Sequence, residues 1–124
     1  MKALVLKEGI LVEKEIENTL ESLQNIVGGY IERAYMGERF MKEGIDPFIN
    51  EEGKLIGLEP QIAIFDREGN TIIDLVMGNC IFVSHDDEGN TVGLTDRQIQ
   101  IVREELGREV FIPNMMILVK AILV

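Results

Sequence analysis

The sequence predicts an α+β domain, an antiparallel β-sheet meander with two short helices packed on it. Three acidic turns that end in glycine separate apolar runs: NEEGK from Asn50, DREGNT from Asp66 and DDEGNT from Asp86. Asp and Asn bond their own main chain and Gly takes the positive φ that hairpins require, so these turns indicate antiparallel neighbours. Two further segments carry helix caps and apolar residues at helical spacing. Two short helices packed against several antiparallel strands are typical of an α+β domain.

Composition limits the classes of function. The 124 residues predict a single domain, 1–124, and the 46% hydrophobic content predicts a packed core. The formal net charge of −10 disfavours direct binding to nucleic acid or to an anionic membrane. Cys80 is the only cysteine, which excludes an internal disulfide. The apolar runs at both ends are too short for a signal peptide or a membrane span, so we expect a cytoplasmic protein.

The first third of the chain predicts a hairpin, a helix and a strand. The hairpin joins Lys2–Leu6 to Val12–Ile16 through Glu8-Gly9. In IENTLESLQNIVGGYIE, Asn18 is the predicted helix cap, with Glu21 three residues later. The helix ends at Gly28 or Gly29.

A strand is predicted next, over Tyr30–Met36. The irregular segment 37–46 follows, and it carries Phe40 and Met41. This segment predicts a loop or a lid. Three hairpins are then expected from the acidic turns, and they join Phe48-Ile49 to Leu55-Ile56, Ile62–Phe65 to Ile72–Met77, and Ile81–Val83 to Val92.

The second helix has the clearest start in the chain. Thr95 is the predicted cap, Gln98 completes a capping box, and Leu94 can pack on Ile99. Gly107 closes the helix near Leu106.

The remaining residues, 108–124, predict an apolar strand extension over Val110–Ile112 and Met115–Val124. Such an apolar run must be covered. Either it is a central strand, or it pairs with another copy of the protein.

Catalytic and metal sites find little support. His85 followed by Asp86 is a conceivable base and orienting carboxylate, but we interpret His85 as the end of a strand and Asp86 as the start of a turn. Neighbouring strand residues point to opposite faces, so Ser84 cannot form a dyad with His85. The acidic turns lack the ligand spacing of an EF-hand, and one His with one Cys cannot make a structural zinc site. We expect no cofactor and no metal.

The double glycine permits close approach of a ligand to the backbone. Gly28 and Gly29 stand at the end of a helix, however, where the carbonyls and the negative dipole repel phosphate. Tight helix-to-strand packing is the favoured interpretation. Tyr30 is the one residue of this corner that offers a stacking face and a hydroxyl.

The chain resembles a family of small proteins known only as a domain of unknown function. The resemblance rests, in order, on MKALVLKEG, EIENTLESLQNIVGGYIE, INEEGKLIGL, DLVMGNCIFV and GLTDRQIQIV. It covers roughly residues 1–107, and VGGYIE with NEEGK is its most specific part. The segment GERFMKEGIDPF and the apolar tail after Gly107 depart from the pattern. The resemblance implies an origin in gut bacteria, phages or mobile elements, and it supplies no catalytic residues.

These observations predict a non-enzymatic binding or accessory protein of phage or mobile-element type. Its expected action is counter-defence, by sequestering a host protein or a small signalling ligand, and it is expected to form a homo-oligomer through the C-terminal strand. The predicted binding surface consists of Gly28, Gly29, Tyr30, Phe40, Met41 and Asn50. The alternative is an acidic DNA mimic that inhibits a nucleic-acid-binding enzyme, with Glu13, Glu15 and Glu17 imitating phosphates.

Overall fold

A computed structural model describes all residues, 1–124, and contains ten strands and three helices. The strands are β1 (Lys2–Lys7), β2 (Ile10–Glu15), β3 (Ile31–Arg33), β4 (Ile45–Asn50), β5 (Pro60–Phe65), β6 (Ile72–Met77), β7 (Cys80–His85), β8 (Thr91–Val92), β9 (Glu109–Ile112) and β10 (Ile117–Leu123). The helices are α1 (Leu20–Val27), α2 (Glu38–Lys42) and α3 (Asp96–Glu105). The predicted α+β class is confirmed, with one helix more than expected.

The strands form two sheets, which corrects the predicted single meander. The first sheet has the order β2-β1-β7-β4-β3, with β8 paired to β7, and the second has the order β6-β5-β10-β9. The hairpins β1–β2, β5–β6 and β7–β8 are antiparallel, as predicted. The predicted hairpin from Phe48-Ile49 to Leu55-Ile56 is wrong, because residues 51–57 form turns and Leu55 is 88% exposed. The chain leaves the first sheet there and enters the second at β5.

Helix α1 begins one residue later than predicted. The N-cap is Thr19, whose side chain accepts a hydrogen bond from the Ser22 amide, and the Asn18 side chain instead donates to the Thr91 carbonyl at 2.8 Å. The C-cap is Gly28, as predicted, with a φ of 80°. The following strand is shorter than Tyr30–Met36, since only Ile31–Arg33 pairs regularly with β4.

The segment 37–46 is not the loop or lid that its irregular sequence predicted. It contains α2, and then the chain enters β4 directly. The helix is fixed by Phe40, which is only 1% exposed and meets Phe82 edge-on with a 5.9 Å separation of ring centroids. Burial of one large aromatic side chain stabilises this five-residue helix, which local signals alone do not.

Helix α3 matches its prediction closely. Thr95 caps it, the capping box with Gln98 is complete, and Leu94 and Ile99 are both buried in the same core cluster. The helix ends at Glu105, and its C-cap is Leu106, beside Gly107.

Two apolar cores lie on opposite faces of the first sheet. The larger core lies between the sheets, and it joins Leu4 and Phe82 of the first sheet to Ile62 and Ile122 of the second. Residues from α2 and α3 fill the same core. The smaller core lies under α1, where Leu23 and Val27 meet Ala3, Val5, Ile81 and Val83. Alternating residues of β1 and β7 therefore serve the two cores in turn.

The C-terminal segment forms an inner strand, which is the first of its two predicted alternatives. Strand β10 runs parallel to β5 on one side and antiparallel to β9 on the other. Most of its backbone groups are therefore paired inside the chain. None of the three helices has the length and hydrophobicity that a bilayer span requires.

Candidate functional site

The predicted binding surface is divided between two cavities. Gly28, Gly29, Tyr30 and Asn50 line one cavity of about 510 Å³, here called the corner pocket. Phe40 and Met41 line another of about 400 Å³, here called the edge cleft. Met41 is 64% exposed there, whereas Phe40 contributes mainly to the core. The sequence thus grouped residues that the fold separates.

The backbone amides of the corner pocket bond within the chain. The amides of Gly28 and Gly29 both donate to the Gln24 carbonyl, at 2.8 and 3.1 Å. This arrangement is typical of a helix C-terminus. The amides are therefore not available to a ligand, in agreement with the expected structural role of the double glycine.

Asn50 stabilises the corner pocket by hydrogen bonds to the backbone. Its Nδ2 donates to the Val27 carbonyl at 3.1 Å, its Oδ1 accepts from the Glu52 amide at 2.8 Å, and the residue is 4% exposed. A Cβ atom on Gly29 would approach Asn50 Nδ2 to 2.9 Å, so this close contact requires glycine. Of the four predicted residues in this pocket, Tyr30, at 69% exposed, is the one whose side chain remains accessible.

The edge cleft is built around a buried carboxylate. Asp46, on β4, is 6% exposed. Its Oδ2 lies 2.8 Å from Nδ1 of His85, and its Oδ1 lies 3.4 Å from Nη1 of Arg33. A buried charge is stable only when it is paired or hydrogen-bonded, and His85 and Arg33 meet that need.

Sheet register explains how three distant residues meet. Asp46 pairs with Val83, and Arg33 pairs with Phe48. Side chains two residues apart share a face, so His85 lies on the same face as Val83, diagonal to Asp46. Arg33 lies on the other diagonal, and the three side chains therefore converge at the sheet edge.

The sequence linked His85 to the wrong aspartate as a conceivable partner. Asp86 begins its turn, as expected, and its Oδ1 accepts from the amides of Glu88 and Asn90 at 3.0 and 2.9 Å. The hydrogen bond with the Asn90 backbone is the main reason that the pKa of Asp86 falls below its usual value. Asp46 is 39 positions from His85. Only an acidic residue inside an apolar strand hinted at it.

The nearby nucleophilic side chains are engaged elsewhere. Ser84 Oγ donates to the Gly44 carbonyl at 2.7 Å and accepts from Gln98 Nε2 at 2.9 Å. The Cys80 thiol is fully buried, and burial raises its pKa. Neither group is presented to the cleft beside His85.

The arrangement is suited to holding an anion. Arg33 supplies the donors, because Asp46 engages only Nη1 of its guanidinium group, which carries five N–H groups. The His85 side chain is 41% exposed and that of Arg33 is 63% exposed, so both have groups free for binding. Guanidinium donors suit carboxylates and phosphates. Tyr35 and Met41 add an exposed apolar lining.

Comparison with known proteins identifies the family. The family described as domain of unknown function DUF3846 matches residues 1–107. The chain belongs to this family. All side chains of the edge cleft and the corner pocket lie within the DUF3846 match, whereas β9 and β10 lie outside it. No curated protein and no solved structure matches the chain.

Proposed function

We propose that this DUF3846 protein binds and sequesters a small anionic ligand in the edge cleft, without converting it. The observation that carries the proposal is the pair formed by the buried Asp46 and the exposed His85, with Arg33 beside it. The volume of about 400 Å³ is within the range of small-ligand sites.

Local charge supports an anionic ligand. The whole chain carries −10, which repels anions at long range. Within the cleft, however, the charge of Asp46 is matched by that of Arg33, whose guanidinium side chain is 63% exposed. An anionic group can therefore bind to donors in the cleft. Anions that make no further contacts are expected to bind weakly, because the net charge of the chain repels them.

The apolar lining supports a ligand with a flat or apolar body. Tyr35 is 54% exposed and Met41 is 64% exposed. An aromatic ring offers a stacking face, and a methionine side chain adapts to irregular shapes. A compound that joins an anionic group to a planar body, as a nucleotide does, matches both parts of the lining.

Sequestration needs a binding cleft and no reaction. The engaged state of Ser84 and the burial of Cys80 favour binding over nucleophilic catalysis. Counter-defence by capture of a host signalling molecule is a hypothesis that the expected phage or mobile-element origin motivates. We include it in the proposal.

Native mass spectrometry tests the proposal. The purified chain is incubated with a small-molecule extract of bacterial cells, desalted and measured intact. We expect the wild type to retain an added small-molecule mass and Arg33→Gln to lose it. Arg67→Gln is the matched control, because Arg67 lies in the exposed turn after β5, away from the cleft.

Two results would contradict the proposal. One is a wild-type spectrum that shows only the 14.0 kDa chain after incubation. The other is equal retention of the ligand by wild type, Arg33→Gln and Arg67→Gln. Circular dichroism of the variants distinguishes loss of the cleft from loss of the fold.

A further inference from the structure

Strand β9 is an edge strand with unpaired backbone groups. It pairs with β10 on one side only. The Ala121 amide donates to the Arg108 carbonyl at 2.9 Å, and antiparallel strands alternate between hydrogen-bonded and non-bonded pairs. Val110 and Ile112 therefore bond to β10, whereas the N–H and C=O groups of Glu109 and Phe111 point outward.

The other long edge strands carry features that discourage pairing. In β2, Glu13, Lys14 and Glu15 are exposed charges. In β6, the Leu75 amide already donates to Asp74 Oδ1 at 2.8 Å, and the register shifts between Ile64 and Phe65 of its partner strand. Charges and bulges of this kind protect sheet edges from association.

Strand β9 lacks such protection. Its sequence is EVFI, and its one charged residue, Glu109, is ion-paired with Lys120 of the neighbouring strand at 2.9 Å. Phe111 is 50% exposed and faces Leu118, which is 56% exposed. The turn beyond them presents Met115 and Met116. An exposed apolar edge of this kind is a site for strand addition.

We propose that a second copy of this chain pairs with β9 in antiparallel fashion about a two-fold axis. The residues whose N–H and C=O groups point outward, Glu109 and Phe111, must face such residues of the partner subunit. Only every second register of the two strands meets this condition. The axis at Val110 places Glu109 opposite Phe111 of the partner subunit, and about four main-chain hydrogen bonds form. The two second sheets become one continuous eight-stranded sheet.

The edge is complementary to itself, and for this reason we assign the partner as a second copy. In this register Glu109 meets Phe111 of the partner subunit, and Arg108 meets Ile112 of the partner subunit. No like charges face each other, although each chain carries −10. An isologous contact of this type closes on itself and does not form fibres.

A cysteine placed on the axis tests the proposal. A non-bonded antiparallel pair has Cα atoms about 4.5 Å apart, within the range that a disulfide spans. We expect Val110→Cys to form a cross-linked dimer under mild oxidation, measured by intact mass without reductant. Leu118→Cys is the control, because Leu118 lies on the inner strand and is more exposed than Val110. Cys80 is buried and does not interfere.

Light scattering after size exclusion gives the second measurement. We expect the wild type to reach about 28 kDa, twice the chain mass of 14.0 kDa, as concentration rises from about 1 μM to about 1 mM. Phe111→Pro removes the outward N–H and the phenyl ring but no hydrogen bond to β10. Phe111→Glu faces Glu109 of the partner subunit with a like charge. Both variants are expected to stay monomeric and folded by circular dichroism.

Three outcomes would overturn the proposal. The first is a wild type that remains at 14.0 kDa throughout the concentration range. The second is a Phe111→Glu variant that still dimerises. The third is equal cross-linking, or none, of the Val110→Cys and Leu118→Cys variants.

Discussion

The corner pocket and the edge cleft are both built around a buried polar side chain, and they differ in what that side chain binds. Asn50 bonds to two backbone groups, the Val27 carbonyl and the Glu52 amide. Asp46 bonds to the side chains of His85 and Arg33, which remain partly exposed. Hydrogen bonds compensate for the burial of both polar side chains. Only Asp46, however, has partners whose donor groups a ligand can reach.

From this difference we assign a structural role to Asn50 and propose a role in ligand binding for Asp46. A carboxamide that ties two backbone segments together stabilises a turn and has no group left to present. A carboxylate that orients an imidazole fixes the direction of the other ring nitrogen. The corner pocket is therefore expected to respond to substitution through stability, and the edge cleft through ligand binding.

The largest expected effect is on stability, at the corner. Asn50→Ala leaves the Val27 carbonyl and the Glu52 amide without their partner, and we expect a loss of about 3 kcal/mol in the free energy of unfolding. Urea denaturation measures it. Asn25→Ala is the control, because Asn25 lines the same pocket from an exposed helix position, and its change is expected to stay within about 0.5 kcal/mol. Equal effects would show that Asn50 has no special structural role.

The next effect is on ligand affinity, at the cleft. Asp46→Asn removes the charge that holds His85 and Arg33, and we expect the affinity for the retained ligand to fall about tenfold, or 1.4 kcal/mol. Isothermal titration calorimetry measures the affinity. Asp86→Asn makes the same chemical change beside His85 in the sequence and is expected to leave binding unaltered. The contrary outcome is an affinity that falls in Asp86→Asn and does not change in Asp46→Asn. It would make Asp86 the functional partner of His85, as the sequence suggested.

A smaller effect is expected at the end of α1. Gly28 has a φ of 80°, a left-handed conformation that an L residue adopts at a cost. Gly28→Ala is expected to lower the free energy of unfolding by about 1 kcal/mol without changing ligand affinity. A Gly28→Ala variant that folds normally and loses the ligand would place binding at the corner.

The smallest effect concerns the Asp86 turn and pH. The hydrogen bond with the Asn90 backbone lowers the pKa of Asp86 below its usual 3.8, so the carboxylate stabilises the fold above that pH. The contribution is lost as pH falls through the lowered pKa. We expect wild type to melt above Asp86→Asn at pH 7 and the difference to shrink towards pH 2. A difference that stays constant with pH would contradict this assignment.

Local sequence signals predicted the local structure well. The Thr95–Gln98 capping box and the Gly28 helix end depend on residues within a few positions of each other. The DREGNT and DDEGNT hairpins are correct for the same reason. Helix α2 was missed because its support is the distant contact of Phe40 with Phe82.

Long-range pairing lay beyond these signals. The parallel pairing of β10 with β5 joins the last strand to the middle of the chain, and no turn motif in the sequence predicts it. The Asp46–His85 pair depends in turn on the β4–β7 register. The sequence therefore identified Met41 and His85 as residues of interest but did not bring either to Asp46 or Arg33.

The central claim is that ligand binds at the edge cleft and leaves the corner pocket unaffected. Two-dimensional amide NMR of the labelled chain, titrated with the ligand recovered by native mass spectrometry, tests it most directly. We predict that signals of Arg33, Tyr35, Asp46 and His85 shift with saturation while those of Gly28, Gly29 and Tyr30 stay in place. Shifts confined to Gly28–Tyr30 would contradict the claim.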